Sequence, residues 1–396
     1  MAGISGSSET RLQVDSSRYE NSDNYLEQWT ALYYRDLASD LRMGTQFELD
    51  ANEEGVTGRL YQLYLKSGDH SDRPELTIGR FETIDNSGFQ TLDGFSVINR
   101  SSPVAWKVYA GKPRRFEDLY SSDAETMVGL GGVYDLQPAI KSEQFEKLLF
   151  NIGLDHRWSS SKQTNFHGSI SGLLQQVEER TQLSDFYLAA DVNLDTRTYQ
   201  RVVIDTHFNL ARQGSVRIGY RYYQPDEEPE TFRDMYHGFY SMQRQSLWKG
   251  VWQLPKWKDL QTYLEMNRSH LEFGSNGAGV AAEMVYAMRK GNIVDLRLDY
   301  VELEEEYATS LYLRSRQPIS STLKFVAESV FQSKHTQLSG DNHLIGLSLS
   351  VAKMLMKQTT LDLSGEWLGH SDRDNEYRLS VSFRYDFYQT NTGELP

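Results

Sequence analysis

The chain has no cysteine, only 9 prolines among 396 residues, and no apolar run long enough for a membrane-spanning helix. The first absence excludes a disulfide framework, a thiolate metal site and the Cys-x-x-Cys-His attachment of a c-type haem. The last, with a mean hydropathy of -0.59, excludes a helical membrane protein. Basic excess is also missing. The net charge is -14, and with no basic cluster or recognition motif, nucleic acid is not expected as a partner. There is no Gly-x-Ser-x-Gly, no phosphate loop and no paired His-Glu helix motif, and the 9 His do not fall in metal-ligand spacing. Met1-Ala-Gly-Ile-Ser-Gly lacks the charged and apolar regions of a secretory signal, so Met1 reads as the start of a mature or recombinant form.

What the chain does have is alternation. Tyr377, Leu379, Val381, Phe383, Tyr385 and Phe387 alternate with Arg378, Ser380, Ser382, Arg384 and Asp386. Successive strand side chains face opposite sides, so this segment is apolar on one face and charged on the other. A tilted strand needs about 9–11 residues to cross a bilayer, and the length fits. The pattern recurs in Leu361–Trp367, Ile345–Val351, Val294–Tyr300 and Leu41–Asp50. Charges of both signs sit at the centres of the polar faces. A dry sandwich core would make them costly, whereas a wet lumen tolerates them.

Counting such segments predicts an all-β fold: a transmembrane antiparallel β-barrel of about 22 strands, with about 20 as the alternative. The less regular segments are 25–37, 92–100 and 200–210, and the first strand is expected near Thr10. One barrel domain then spans 1–396, with a short periplasmic N-terminus at 1–9, a tail at 389–396 and no plug domain. Met356–Thr359, Ser315–Ser320, Arg289–Asn292, Pro255–Asp259 and Arg212–Ser215 read as periplasmic turns. Lys334–Asn342, Glu302–Glu306, Gln224–Arg244, Lys112–Glu125 and Asp50–Val56 read as outer loops. The expected location is the outer membrane of a Gram-negative bacterium, with its lipid as one partner.

The lumen-facing candidates are Arg80, Asp85, Asp93, Arg100, Arg217, Arg221, Asp295, Arg297, Asp299, Arg314, Arg378 and Arg384. They suggest a wet, mixed-charge wall. Arg80, Arg100, Arg114 and Arg115 opposite Asp85 and Asp93 also suggest a basic constriction, against a plainer reading of ordinary ion pairing. The acid run Glu302, Glu304, Glu305 and Glu306 reads as a solvated loop tip before a cation site. His167 and Ser169 share a face, which chance readily produces. No catalytic group, metal or cofactor is expected.

One local motif stands out in Gly79–Glu117: Gly79-Arg80, then Gly88-Phe89, Leu92-Asp93-Gly94, and a return strand carrying Gly111 and Pro113. It resembles a group of bacterial outer-membrane porins that includes substrate porins, polysaccharide export channels and the sheaths of porin–cytochrome electron conduits. The resemblance implies a trans-membrane conduit. A bore of about 22 strands is wide, which favours a barrel sheathing a partner such as a multihaem cytochrome for electron transfer. An open diffusion or polysaccharide-export porin is the alternative, and a barrel enzyme ranks last.

Overall fold

The computed structural model describes residues 2–15, 24–36, 40–52, 55–68, 73–85, 88–114, 126–136, 145–158, 165–176, 183–224, 244–271, 276–288, 291–303, 306–336, 340–371 and 374–390. They form 22 strands. The first eight are β1 (Ala2–Asp15), β2 (Tyr25–Asp36), β3 (Leu41–Asn52), β4 (Gly55–Ser67), β5 (Glu75–Asp85), β6 (Gly88–Asn99), β7 (Val104–Arg114) and β8 (Thr126–Asp135). Next come β9 (Phe145–Trp158), β10 (Asn165–Gln176), β11 (Leu183–Asn193), β12 (Thr198–Asn209), β13 (Ser215–Tyr223), β14 (Gln245–Gln253) and β15 (Leu260–Leu271). The series closes with β16 (Asn276–Ala287), β17 (Ile293–Leu303), β18 (Glu306–Pro318), β19 (Leu323–Thr336), β20 (Gly340–Met356), β21 (Thr359–His370) and β22 (Glu376–Thr390).

Each strand pairs antiparallel with its sequence neighbours, and β1 pairs with β22 from Gly3↔Thr390 to Asp15↔Arg378. The sheet is therefore a closed circuit. Hydrocarbon offers no water to an unpaired N–H or C=O, so closure is what allows these strands to cross a bilayer. No described helix is long and apolar enough to span a membrane.

The two faces of the wall follow the sequence period. On β22, Leu379 is 57% exposed while Ser382 is 7% exposed. Ile345, Leu347 and Leu349 of β20 and Leu311 and Leu313 of β18 continue the exposed apolar set. Residues directly opposite in an antiparallel ladder share a face, so the register carries the apolar belt round the circuit. Leu296 meets Leu313, Met284 meets Leu296, and Leu379 meets Val14.

The first strand begins at Ala2, not near Thr10, so residues placed in a periplasmic tail belong to the wall. The reason lies in the neighbours. Gly6 presents no side chain, and the Phe387 ring across the seam lies where its Cβ would be. Similarly β22 runs to Thr390, into the stretch expected as a tail. The irregular segments 25–37, 92–100 and 200–210 are strands β2, β6 and β12.

Counting along the chain puts the termini at the same end as the β12–β13, β14–β15 and β20–β21 turns. The long connections that follow β7 and β13 leave from the opposite end, which long loops mark as extracellular in this class. The inside–outside assignment is open to direct test. Leu347→Arg puts a guanidinium on the lipid face and is expected to destabilise the barrel by about 2–4 kcal/mol at mid-bilayer depth. Ser348→Arg, one residue on, is expected to cost less than about 0.5 kcal/mol in the same urea titration in vesicles.

Candidate functional site

The inner wall is laced with ion pairs because inward positions alternate sign across neighbouring strands. On β15–β17 the Arg297 guanidinium reaches Asp299 at 2.7 Å, Glu283 at 3.5 Å and Glu265 at 3.7 Å. Lys249 of β14 closes on Glu265 at 2.9 Å, and Arg314 of β18 on Glu328 of β19 at 2.7 Å. Asp295 stands opposite Arg314 in register. On β12 and β13, Arg217 Nε donates to Asp205 Oδ1 at 2.7 Å. A recess of about 590 Å³ there is lined by Arg217, Arg221, Asp185, Asp205 and Lys249.

A second group sits near the β1–β22 seam. Arg378 lies 3.5 Å from Glu366, and Arg384 Nε donates to Asp386 at 2.9 Å. Glu27, Glu48 and Asp50 bring carboxylate oxygens within 4.8 Å of one another. Arg11 answers Glu27 at 3.5 Å and Glu9 at 3.2 Å. Arg59 answers Glu48 at 3.6 Å and Asp50 at 3.2 Å, and the Tyr61 hydroxyl donates to Glu48. The acids are thus matched by protein cations. This group escaped the list of candidates, although the alternation Arg42-Met43-Gly44-Thr45-Gln46-Phe47-Glu48 signals it.

Of the twelve sequence candidates, Arg217, Arg221, Asp295, Arg297, Asp299, Arg314, Arg378 and Arg384 lie on the inward face by register. Arg100 follows β6 and its Nη2 lies 3.3 Å from Glu75. Asp85 ends β5, and its side chain falls outside the described residues, as do Arg115, Glu304 and Glu305. Glu306 pairs with Lys334 at 3.1 Å. His167 and Ser169 are buried on the inner face of β10, where His167 Nδ1 lies 2.7 Å from Gln200 Oε1.

Arg80 and Asp93 are placed differently from expectation. Arg80 is opposite Leu63 and Asp93, and Asp93 lies two residues from Phe95 on the same face. Leu63 is 54% exposed and Phe95 45%, so this is the outward face. Arg80 donates twice to Asp93, at 2.6 and 2.9 Å, and once to the Leu60 carbonyl at 2.6 Å. Arg114 Nε donates to the same carboxylate at 2.7 Å. Asp93 is thus held between two guanidinium groups, beside the outward Ile78, Phe95 and Ala110. The expected basic constriction therefore loses Arg80, Asp93 and Arg114 to the outside.

The Gly79–Glu117 motif now has a physical meaning. Gly79, Gly94 and Gly111 stand side by side across β5, β6 and β7. Gly79 has φ +118°, a conformation few other residues adopt. A Cβ on Gly94 would overlap the Ala110 carbonyl oxygen, so only glycine permits this spacing. Inside the glycine row, Phe81, Leu92, Tyr109 and Met127 form the buried apolar cluster, with Tyr64 packed against it. Next to it lies a lumenal recess of about 720 Å³ that includes Lys66, Glu75, Ser96, Lys107 and Asp155.

No protein-family profile matches the sequence, and no curated protein matches it. Solved structures do. The siderophore receptor PirA from Pseudomonas aeruginosa aligns at 9% identity with a TM-score of 0.63, over 96% of this chain and 80% of that one. The translocation pore of the P pilus usher PapC aligns at 8% identity with a TM-score of 0.53, over 98% and 100%. At such identity the likeness establishes architecture. The chain has the closed antiparallel β-barrel fold of these outer-membrane proteins.

Two pairs of substitutions probe this wall. Arg297→Met takes the guanidinium from Glu283 and Asp299 and leaves Glu265 with Lys249 alone, whereas Arg378→Met takes it from Glu366. Arg297→Met is expected to lower the unfolding free energy by about 1 kcal/mol more than Arg378→Met, by urea titration. Gly94→Ala drives a methyl into the neighbouring strand and is expected to cost about 1–3 kcal/mol. Gly131→Ala, where a Cβ meets open space, serves as its control.

Proposed function

We propose that the barrel is a trans-outer-membrane conduit, and that its bore sheathes a soluble partner crossing the membrane. The observation that carries this reading is the closed circuit of 22 strands with an ionised inner wall. Barrels of about 16–18 strands leave a usable aqueous channel, whereas natural barrels of about 22 keep the lumen filled. The described residues supply the wall and its rims. A partner protein in the bore would serve as that filler, and a wall carrying both signs of charge offers it polar contacts.

A multihaem cytochrome suits this place chemically. The chain has no Cys and so no c-type haem of its own, and an electron route through it needs cofactors carried by another protein. The second reading is an open porin. The exposed Arg217, Arg221 and Lys249 beside Asp205 favour it, since they hold a hydrated, mixed-charge surface in the bore.

Reconstitution separates the two. The isolated chain in planar bilayers is expected to conduct as a wide, weakly selective pore under either reading. The complex purified from native membranes is expected to be closed and to show haem absorption if the barrel is a sheath. A native preparation that conducts equally well and carries no second protein supports the open porin. An isolated, folded barrel that does not conduct overturns the conduit itself.

A further inference from the structure

On the outward face, at the extracellular end of β12, β13 and β14, lies a groove of about 430 Å³ lined by Arg197, Tyr199, Tyr220, Tyr222, Gln224 and Arg244. Its outward placement follows from register: Val202 faces Tyr222, Ile204 faces Tyr220, and Tyr220 faces Trp248, which is 54% exposed. The aromatic rings are ordered against one another and against charge. Tyr220 and Trp248 have centroids 4.5 Å apart, and the Arg244 guanidinium lies 5.5 Å from the Tyr222 centroid. The Tyr222 hydroxyl donates to Gln224 Oε1 at 2.8 Å. Arg268 of β15 stands opposite Trp248 and is exposed, extending the same face.

The charge is one-sided. In a chain of net charge -14, the outward positions described on β12–β15 include no Asp or Glu. Arg197 and Arg244 line the groove with Tyr199, Tyr220 and Tyr222, Arg268 stands opposite Trp248 on β15, and the nearest described acid is Asp195 in the turn that carries Arg197. Toward the membrane centre the same face turns apolar through Val202, Ile204 and Ile218. From the rim inward a ligand would therefore meet guanidinium groups, then flat aromatic surface, then aliphatic wall. Arginine forks match phosphate oxygens, aromatic faces accept sugar rings, and the aliphatic strip accepts acyl chains.

We propose that this groove is a binding site for a phosphorylated glycolipid of the outer leaflet. The arginines hold its phosphate, Tyr199, Tyr220 and Trp248 pack against its sugar, and its acyl chains lie along Ile204 and Ile218. The site anchors the extracellular rim beside the long β13–β14 connection. It depends on the fold and not on what passes through the bore.

Native mass spectrometry of the whole barrel in detergent tests this, with lipid A (a phosphorylated glucosamine-disaccharide lipid), its dephosphorylated form and phosphatidylglycerol as separate probes. Wild type is expected to retain phosphorylated lipid A at least about tenfold better than either other lipid, equivalent to ~1.4 kcal/mol. The Arg197→Gln/Arg244→Gln/Arg268→Gln variant is expected to lose that preference while keeping heat-modifiable electrophoretic mobility. Equal retention of the phosphorylated and dephosphorylated forms by wild type overturns the proposal, and this comparison needs no variant to fold. Phosphatidylglycerol bound as well as lipid A overturns the sugar contact. A folded triple variant that retains lipid A unchanged overturns the arginine assignment.

Discussion

Pairing between β1 and β22 removes the last two open strand edges, and the other features of the molecule depend on that seam. An exposed edge in hydrocarbon would leave a row of N–H and C=O groups without partners. Once the circuit closes, each strand has one face toward lipid and one toward the bore, and side chains sort accordingly. The seam is built from unremarkable sequence: small and polar residues on β1 laid against aromatic and charged residues on β22. The ladder itself, Phe387 covering Gly6, the Leu12–Val381 and Val14–Leu379 pairs, and the Ser382 hydroxyl donating to Glu9 at 2.8 Å hold it.

The inner wall and the outer wall solve the problem of charge differently. Inside, arginines share carboxylates across neighbouring strands, as Arg297 does with Glu265, Glu283 and Asp299, in contact with a wet bore. Outside, charge takes two forms: Asp93 held between the Arg80 and Arg114 guanidinium groups, and an arginine and aromatic surface whose described strand positions on β12–β15 carry no acid. The glycine row on β5–β7 separates a buried apolar cluster inside from a paired charge cluster outside. The most distinctive sequence motif therefore has a structural role, and the conduit reading rests on the bore as a whole.

Much of this was legible in the sequence because the strand period is short and local. Where both neighbours of a position have informative side chains, as along Tyr377–Phe387, face and strand follow at once. The reading failed where glycine or small residues carry no polarity signal. Ala2–Glu9 looks like a tail because its apolar cover comes from another strand. Arg80 and Asp93 look lumenal because each adjoins a glycine, Gly79 or Gly94, and only the pairing with Leu63 and the nearness of Phe95 reveal their face. The outward groove was not legible, since it joins residues some seventy positions apart through tilted strand ends.

The native chain has no cysteine, so single cysteines can be introduced without background and labelled in vesicles with a water-soluble maleimide. Along β22, positions 378, 380 and 384 are predicted to label, while 379, 381 and 383 stay protected by lipid. Labelling that ignores this two-residue period, or is uniform along the strand, would contradict a closed barrel with a hydrated bore.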